Sequence, residues 1–413
     1  MGKINTLWFY LEPYVFVSED IESFLFYNAY TKKGMTFDKN KTISEMVRYL
    51  KNPDNMYSTQ IGMKELENEA LYNMIQSLQN ESFGDLIEGS LPKPVIIPPI
   101  LNLRNKVERL DSDNMYFDNI LSYLHEVTVF LNGECTYNCR SCRDMFKQFL
   151  CCTKSNDELE FKSLNVFLYS ISHTGASVSF TGGNLFLYPN LSELFDVLEN
   201  MNFSKTFIVN FRNIPEDVEI LRIFAKESFL LKIIVNDSYR KNTIIDIAER
   251  LQHYNINQLW EVGVTSEREY EKAELLCEQF ARYNIKINVK PFYNRKNLTF
   301  FEENIFMQKE ELLSVALDKR EIFTLQELNT YNFGKITLMP NGKIYADVNK
   351  EPIGNIKEPI GNVLSKEMIS GDSWRYTRYQ VEPCNQCCFK LICPSPSGYE
   401  SVIGKPNLCH VRQ

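Results

Sequence analysis

Three cysteines with the spacing C-x3-C-x2-C, Cys135, Cys139 and Cys142, directly follow an apolar segment at residues 127–131. That segment is predicted to be a buried strand, so the cysteines begin the loop after it. Three thiolates on one loop can bind three irons of a [4Fe–4S] cluster and leave the fourth iron open to a ligand. The spacing therefore predicts a reactive iron–sulfur site. A zinc site that recruits a fourth cysteine from further along the chain is the alternative.

A second group of cysteines lies near the end of the chain. Cys384, Cys387 and Cys393 have the spacing C-x2-C-x5-C, Cys409 follows them, and Cys388 is an extra thiol beside them. Four thiolates on loops can ligate one iron–sulfur cluster fully or bind a tetrahedral zinc ion. Either metal site would organise a tail that has little core of its own.

Composition excludes several other kinds of protein. The 413 residues carry a net charge of −8, which argues against broad nucleic-acid binding, since that depends on basic patches. No apolar run approaches the roughly 20 residues that span a bilayer, so we expect no membrane partner and a cytoplasmic location. The chain has 11 cysteines and four histidines, and in a reducing compartment clustered cysteines bind metal more often than they form disulfides.

A Gly-Gly turn, Gly182-Gly183-Asn184, follows the predicted strand at residues 177–180. Glycine lets a backbone approach a ligand closely. With the first cysteine group, this turn resembles the radical S-adenosylmethionine enzymes, whose Gly-Gly-Glu motif contacts the amino group of S-adenosylmethionine. The resemblance implies that these three residues line the cofactor site. Asn184 stands in place of the family's acid, and Ser141 stands where an aromatic residue usually precedes the third cysteine.

The resemblance also implies a reaction. Cys135, Cys139 and Cys142 would hold a catalytic [4Fe–4S] cluster whose open iron binds S-adenosylmethionine. An electron from the cluster would cleave the cofactor to a 5′-deoxyadenosyl radical, which abstracts a substrate hydrogen.

The second cysteine group resembles the SPASM region of radical peptide-maturing enzymes, which carries auxiliary [4Fe–4S] clusters. The likeness implies one auxiliary cluster, which either accepts an electron or binds substrate. A structural zinc site is the alternative. The family's run continues with a further cysteine at the position of Ser397. The implied ligands are Cys384, Cys387, Cys393 and Cys409.

The first 90 residues predict three short strands followed by two helices, at residues 42–50 and 63–78. A Thr42–Glu45 capping box would open the first helix. This pattern resembles the winged-helix-like peptide-recognition element of ribosomal-peptide maturases, which takes the precursor's leader as an added strand. We expect the leader to contact an edge strand near residues 23–30 and the first long helix. A winged helix that only packs on the next domain, or binds DNA, is the alternative.

The remaining chain predicts an α/β protein with further domains. Residues 91–122 begin with the proline-rich run LPKPVIIPPI and read as a linker. Residues 123–300 alternate apolar strands with helices, which indicates a parallel sheet and a partial (β/α)6 TIM-like barrel, with a doubly wound sheet as the alternative. Residues 301–413 are irregular apart from a predicted hairpin at 334–347 and form the SPASM-like region.

The whole chain resembles the pseudo-radical-SAM, SPASM-type proteins of Bacteroidales peptide systems, on its opening TLWFYLEPYVFV, its CRSCRDMFKQFLCC stretch and its closing CPSPSGYE. Such proteins act on precursors with a Gly-Gly leader and accompany a second radical maturase. The expected function is radical C–H modification of a ribosomally made peptide. A non-catalytic partner that binds leader and second maturase, and a zinc-binding adaptor, are the alternatives.

Overall fold

The computed structural model describes residues 6–101, 114–137, 148, 154–226, 229–236 and 239–411. Within these ranges the chain forms two three-stranded antiparallel sheets and one nine-stranded sheet. No helix in the described ranges combines the length and the apolar character that crossing a membrane requires.

The two small sheets and two helices form the amino-terminal module. Its elements are β1 (Thr6–Leu11), β2 (Val15–Glu19), β3 (Ser23–Asn28), β4 (Lys33–Asp38), α1 (Lys41–Lys51), β5 (Ser58–Gly62), α2 (Glu69–Asn80) and β6 (Gly84–Glu88). In the two sheets, β1 lies between β5 and β6, and β3 lies between β2 and β4. Both predicted helices are present, but six strands replace the three that we expected. The winged-helix assignment stays a prediction.

Helix α1 forms because one face of its sequence is apolar at helical spacing. Its buried residues are Ile43, Met46, Val47 and Leu50. The side chain of Asn40 caps it, since Asn40 Oδ1 accepts a hydrogen bond from the Ile43 amide at 2.8 Å. The helix thus begins before Thr42, and the predicted capping box at Thr42 was wrong.

The sheet β2–β3–β4 is covered on both faces. Phe24 and Phe26 of β3 point into the core that β1, α1 and α2 share, while Leu25 and Tyr27 pack on Phe389 in the cysteine-rich tail. The Tyr27 hydroxyl also donates to the carbonyl of Val315 at 2.7 Å. Because β3 pairs with β2 and with β4, our expectation that the edge strand lies near residues 23–30 was wrong.

The proline-rich segment after β6 has no helix or strand through residue 101. It lies along the start of β5, where the Ser58 hydroxyl donates to Pro94 O at 2.8 Å and the Ile96 amide donates to Met56 O at 3.0 Å. Proline lacks the amide that a sheet needs, which explains why these apolar residues extend without pairing as a strand.

The large sheet begins with six β/α steps. Its elements in this part are β7 (Glu126–Phe130), α3 (Phe161–Ile171), β8 (Ser177–Thr181), α4 (Leu191–Glu199), β9 (Lys205–Asn210), α5 (Val218–Lys226), β10 (Leu230–Val235), α6 (Lys241–His253), β11 (Asn257–Val264), α7 (Glu267–Arg282) and β12 (Lys286–Pro291). All six predicted strands are present, and the parallel α/β sheet is confirmed.

Strand order separates the two predicted architectures. The six strands follow one another from β7 to β12 without a reversal. A doubly wound sheet reverses its order at a switch point, whereas barrel strands run in sequence. The order therefore favours the partial barrel.

The rest of the chain adds short helices and three strands. These elements are α8 (Leu298–Asn304), α9 (Lys309–Ser314), α10 (Lys319–Glu327), β13 (Lys335–Leu338), β14 (Lys343–Tyr345), β15 (Gly354–Asn355), α11 (Ile360–Ser370) and α12 (Gly398–Ile403). The predicted hairpin is confirmed as β13 and β14. Sequence analysis missed that β13 also pairs in parallel with β7 and so extends the large sheet.

The two faces of the large sheet differ in character. Alternate residues such as Val127, Val129 and Phe180 pack against the helices in one continuous core. Glu261 lies on the opposite face, since its neighbours Trp260 and Val262 both belong to that core. The sheet therefore has an apolar outer face and an inner face that carries charge.

Candidate active site at the carboxyl edge of the large sheet

The first cysteine loop starts where β7 ends, and Cys135 is half-buried there. Cys139, Cys142 and Ser141 lie outside the described residues, so their predicted roles stay predictions. Cys135 Sγ lies 4.0 Å from the side-chain amide of Asn213. The structure thus places one of the three predicted ligands at the carboxyl edge of the sheet, as expected.

The Gly-Gly turn after β8 packs directly on the start of this loop. The Gly183 amide donates to Asn132 O at 3.0 Å, and the Asn184 amide donates to Glu134 O at 2.6 Å. A Cβ atom on Gly183 would lie 2.1 Å from Glu134 O, and one on Gly182 would lie 2.5 Å from Asn132 Oδ1. Both positions therefore require glycine because of the chain's own backbone.

The side chain of Asn132 also joins the Gly-Gly turn to the start of the cysteine loop by hydrogen bonds. Its amide donates to Asn184 O at 2.9 Å, and its Oδ1 accepts from the Gly183 amide at 3.2 Å. Asn132 is buried, so these bonds are shielded from water. Sequence analysis missed this residue, although a polar side chain directly after an apolar parallel strand is a usable signal.

Asn184 has a local role in the structure. Its Oδ1 accepts a hydrogen bond from the Phe186 amide at 3.2 Å and caps the short helix Leu185–Leu187. The side-chain oxygen that the resemblance assigns to the cofactor therefore already accepts a hydrogen bond from the backbone.

Asn213 joins the turn to the cysteine. It follows β9, its amide donates to Gly183 O at 3.1 Å, and the same nitrogen approaches Cys135 Sγ. The residue is 8% exposed, and its buried Oδ1 has no hydrogen-bond donor among the residues that the structure describes. An unpaired buried carbonyl oxygen is unfavourable by about 1–3 kcal/mol, so a donor at this position would be stabilised. Sequence analysis missed Asn213.

A charged group lies on the inner face of the sheet. Glu261 of β11 is buried, and its Oε2 lies 2.8 Å from Lys232 Nζ while its Oε1 lies 4.0 Å from Lys290 Nζ. Its Oε1 has no hydrogen-bond donor in the described part of the chain. This arrangement can bind a polar substrate group inside the sheet's concave side.

The four predicted ligands in the tail line one cavity, together with Leu312, Pro383, Phe389, Lys390, Asn407 and Val411. Burial raises the pKa of the Cys393 thiol to about 12 and also raises that of Cys384. Both thiols are therefore protonated at neutral pH unless a metal binds and displaces the protons. The structure brings together Cys384, Cys387, Cys393 and Cys409.

The spacing of these sulfurs bears on which metal they suit. Zinc–sulfur bonds of about 2.3 Å place tetrahedral thiolates roughly 3.8 Å apart. Among the described residues, no three of the four sulfurs lie within 4.8 Å of one another. A cubane cluster spaces its ligands more widely, because each thiolate binds a different iron. Four thiols around one cavity are a donor set that suits either a cluster or a zinc ion.

Cys388 has a separate role. Its sulfur lies 3.6 Å from the Ser23 hydroxyl, and its amide donates to Asp20 Oδ2 at 3.4 Å. The carboxylate of Asp20, Cys387 Sγ and Cys388 Sγ lie within 4.8 Å of one another. A hydrogen bond with Cys387 and then burial raise the pKa of Cys388 far above its usual value. We interpret Cys388 as a neutral thiol that ties the tail to the β2–β3 turn.

No family model matches the chain. No curated protein matches it either. Solved structures do match. SuiB from Streptococcus suis, bound to its precursor peptide SuiA, is 13% identical over 97% of this chain and 98% of its own, with a TM-score of 0.51. SuiB bound to S-adenosylmethionine is 12% identical over the same shares, with a TM-score of 0.46.

A third structure is anSMEcpe with bound AdoMet, which is 14% identical over 68% of this chain and 92% of its own, with a TM-score of 0.46. At these identities a likeness shows the fold alone. The match to peptide-bound SuiB shows that the chain shares its fold along nearly its whole length.

The contact between Gly183 and Glu134 gives a testable prediction. Gly183→Ala forces the turn and the cysteine loop apart, so the thermal midpoint and the iron bound per chain should both fall. The matched control is Gly361→Ala in α11, where the nearest atom to an added Cβ is 3.8 Å away. Iron analysis and thermal unfolding measure both effects. A Gly183→Ala protein with unchanged midpoint and iron content would contradict the structure of this turn.

Proposed function

We propose that this chain is an iron–sulfur, S-adenosylmethionine-dependent enzyme that modifies a C–H bond of a ribosomally made peptide. The observation that supports it most is the convergence of Cys135, Gly183 and Asn213 at the carboxyl edge of a parallel sheet. The fold shared with SuiB, which was solved with its precursor peptide, is independent support. Active sites of barrel proteins lie at this edge.

The described residues fit S-adenosylmethionine on one specific point. The Oδ1 of Asn213 is a buried acceptor beside Cys135 that has no donor within the described ranges, and the ammonium group of the cofactor is a donor of matching chemistry. Gly182, Gly183 and Asn184 would line this position. Cys135, Cys139 and Cys142 would hold the cluster. When bound, these cofactors supply an electron and a primary alkyl radical that removes hydrogen from unactivated carbon.

The tail would hold the auxiliary cluster on its four cysteines. Their shared cavity supports this assignment. The charged inner face around Glu261 would bind a polar group of the peptide. These protein groups position substrate and exclude water, which is the protein's share of the work in a cofactor enzyme.

The leader of the precursor, with its Gly-Gly motif, would bind at the edge of β4. In the described part of the chain β4 pairs with β3 alone. The Lys39 amide donates to Glu22 O at 2.7 Å. Hydrogen-bonded positions alternate in an antiparallel pair, so Met35 and Phe37 bond to β3 and Thr36 presents its backbone groups outward. An extended peptide could pair there by β-augmentation.

The second candidate function is a non-catalytic partner that binds leader and a second maturase. Asn184 favours it, because its side-chain oxygen caps a helix and carries no negative charge for the cofactor. The third candidate is a zinc adaptor that would use the same four thiols.

Cofactor cleavage tests the enzymatic proposal. Anaerobically reconstituted protein, reduced in the presence of S-adenosylmethionine and precursor peptide, should release 5′-deoxyadenosine well above a Cys139→Ala control. Liquid chromatography with mass detection measures the product. Brown protein with matched iron and sulfide but no release above the control would favour the partner role. A colourless zinc protein would overturn the proposal.

Asn213→Ala should weaken S-adenosylmethionine binding by about tenfold to a hundredfold, because a hydrogen bond to a charged group contributes roughly 1.5–3 kcal/mol. Isothermal titration of the reconstituted protein measures the affinity. Asn200→Ala, at an exposed asparagine after α4, should leave it unchanged. Equal affinities of the two variants would show that Asn213 does not contact the cofactor.

Leader binding tests the assignment of the β4 edge. Thr36→Pro removes an outward amide and should weaken binding of a synthetic Gly-Gly leader by about tenfold. Thr36→Val retains the amide and should bind like the parent protein. Fluorescence anisotropy measures the affinity. If Leu86→Pro in the edge strand β6 abolished binding instead, the leader would pair with the sheet β5–β1–β6.

A further inference from the structure

A buried arginine connects the segments that carry the tail cysteines. Arg378 is 6% exposed. Its Nη1 lies 3.8 Å from Cys384 Sγ and 3.2 Å from Pro406 O, and its Nε donates to Pro394 O at 2.7 Å. These groups come from three separate stretches of chain.

Each contact touches a different predicted ligand or its immediate surroundings. Cys384 is contacted directly, Pro394 follows Cys393, and Pro406 lies three residues before Cys409. The guanidinium is a planar fork with five donors, so one side chain can fix several acceptors at once. Arg378 therefore sets the relative positions of three of the four sulfurs.

Glu400 holds this arginine in place. Its Oε1 lies 2.5 Å from Arg378 Nη2, in an ion pair in which both side chains are buried. Its other oxygen accepts from the amide of Ser397 at 2.9 Å and from its hydroxyl at 2.5 Å. Ser397 is the residue at the position where a further cysteine was expected. A chain of hydrogen bonds thus leads from Ser397 through Glu400 and Arg378 to Cys384.

We propose that Arg378 is a positioning residue that tunes the reduction potential of the tail cluster, and that the negative charge of Glu400 opposes the effect of Arg378. This inference rests on the proposed iron–sulfur function. One-electron reduction adds a negative charge to the cluster. A cation held on a ligand sulfur stabilises that reduced form, and hydrogen bonds to sulfur act in the same direction. The buried surroundings strengthen this effect relative to a surface pair.

Two neutralising variants should shift the potential in opposite directions. Arg378→Gln removes the positive charge, so reduction becomes harder and the potential falls. Glu400→Gln removes the negative charge and keeps an acceptor for Ser397, so the potential rises. A tenfold change in the equilibrium constant for one-electron reduction is about 59 mV, and we expect each shift to reach at least that size. If Arg378 and Glu400 had only a structural role, the two variants would not shift the reduction potential in opposite directions.

The measurement uses full-length protein in which Cys135, Cys139 and Cys142 are replaced by alanine, so that only the tail cluster remains. Dithionite supplies the electron in a mediated titration followed by electron paramagnetic resonance. The matched control is Arg375→Gln. Arg375 is paired with Glu327 at 3.6 Å and makes no hydrogen bond to a cysteine among the described residues. The reduction potential of the tail cluster in the Arg375→Gln protein should equal that in the parent protein.

The outcomes separate this inference from the proposed function. If the parent carries no tail cluster, as shown by equal iron and sulfide after a further Cys384→Ala change, the auxiliary-cluster assignment and this inference are overturned, while the proposed chemistry at Cys135 is decided separately by 5′-deoxyadenosine release. If the cluster is present and both variants keep its potential, or shift it in the same direction, the inference alone is overturned. If Arg378→Gln loses the cluster, Glu400→Gln supplies the test instead: a rise in its cluster potential supports the inference, and a fall or an unchanged potential refutes it.

Discussion

The position of Cys135 depends on two loop backbones that touch at the carboxyl edge of the large sheet. Carboxyl ends of neighbouring parallel strands meet at one edge, so the turn after β8 lies against the segment after β7. Without side chains at Gly182 and Gly183, the two backbones approach to hydrogen-bonding distance. Asn213 completes the arrangement from the next loop. Three consecutive strands therefore define the place where the cysteine loop begins.

The tail is organised differently from the sheet. It consists of short helices and turns around the four cysteines, and one side of it packs on the sheet β2–β3–β4. The Tyr27 hydroxyl and the Ser23–Cys388 contact add polar links between the same two regions. A peptide paired with β4 would thus extend a sheet whose other face covers the cysteine cavity. In the proposed complex, a leader at that edge would lie on a sheet that shares this core with the tail.

Much of the large sheet was predictable, because buried parallel strands are continuous apolar runs and each is followed by a helix. The strands of the amino-terminal module were harder. The sequence SFLFYN of β3 has no polar alternation because both of its faces are buried, and that feature indicates a central strand. Short strands such as β5 and β6 carry too few apolar residues to be recognised. Asn213 could not be predicted, since its partners come from two other loops.

Two residues that differ from the motifs the sequence resembles share one structural role. Asn184 stands where those motifs have an acid and caps Leu185–Leu187, and Ser397 stands where they have a cysteine and caps α12. At both positions the residue that would bind a ligand in the resembled motif is a helix cap in this structure. A neighbouring polar side chain contacts the site instead. In the proposed site Asn213 supplies the acceptor that Asn184 gives to backbone, and Arg378, which is paired with Glu400, contacts Cys384 directly. Loss of a motif residue is therefore weak evidence for loss of chemistry, because the decisive atom can come from another loop.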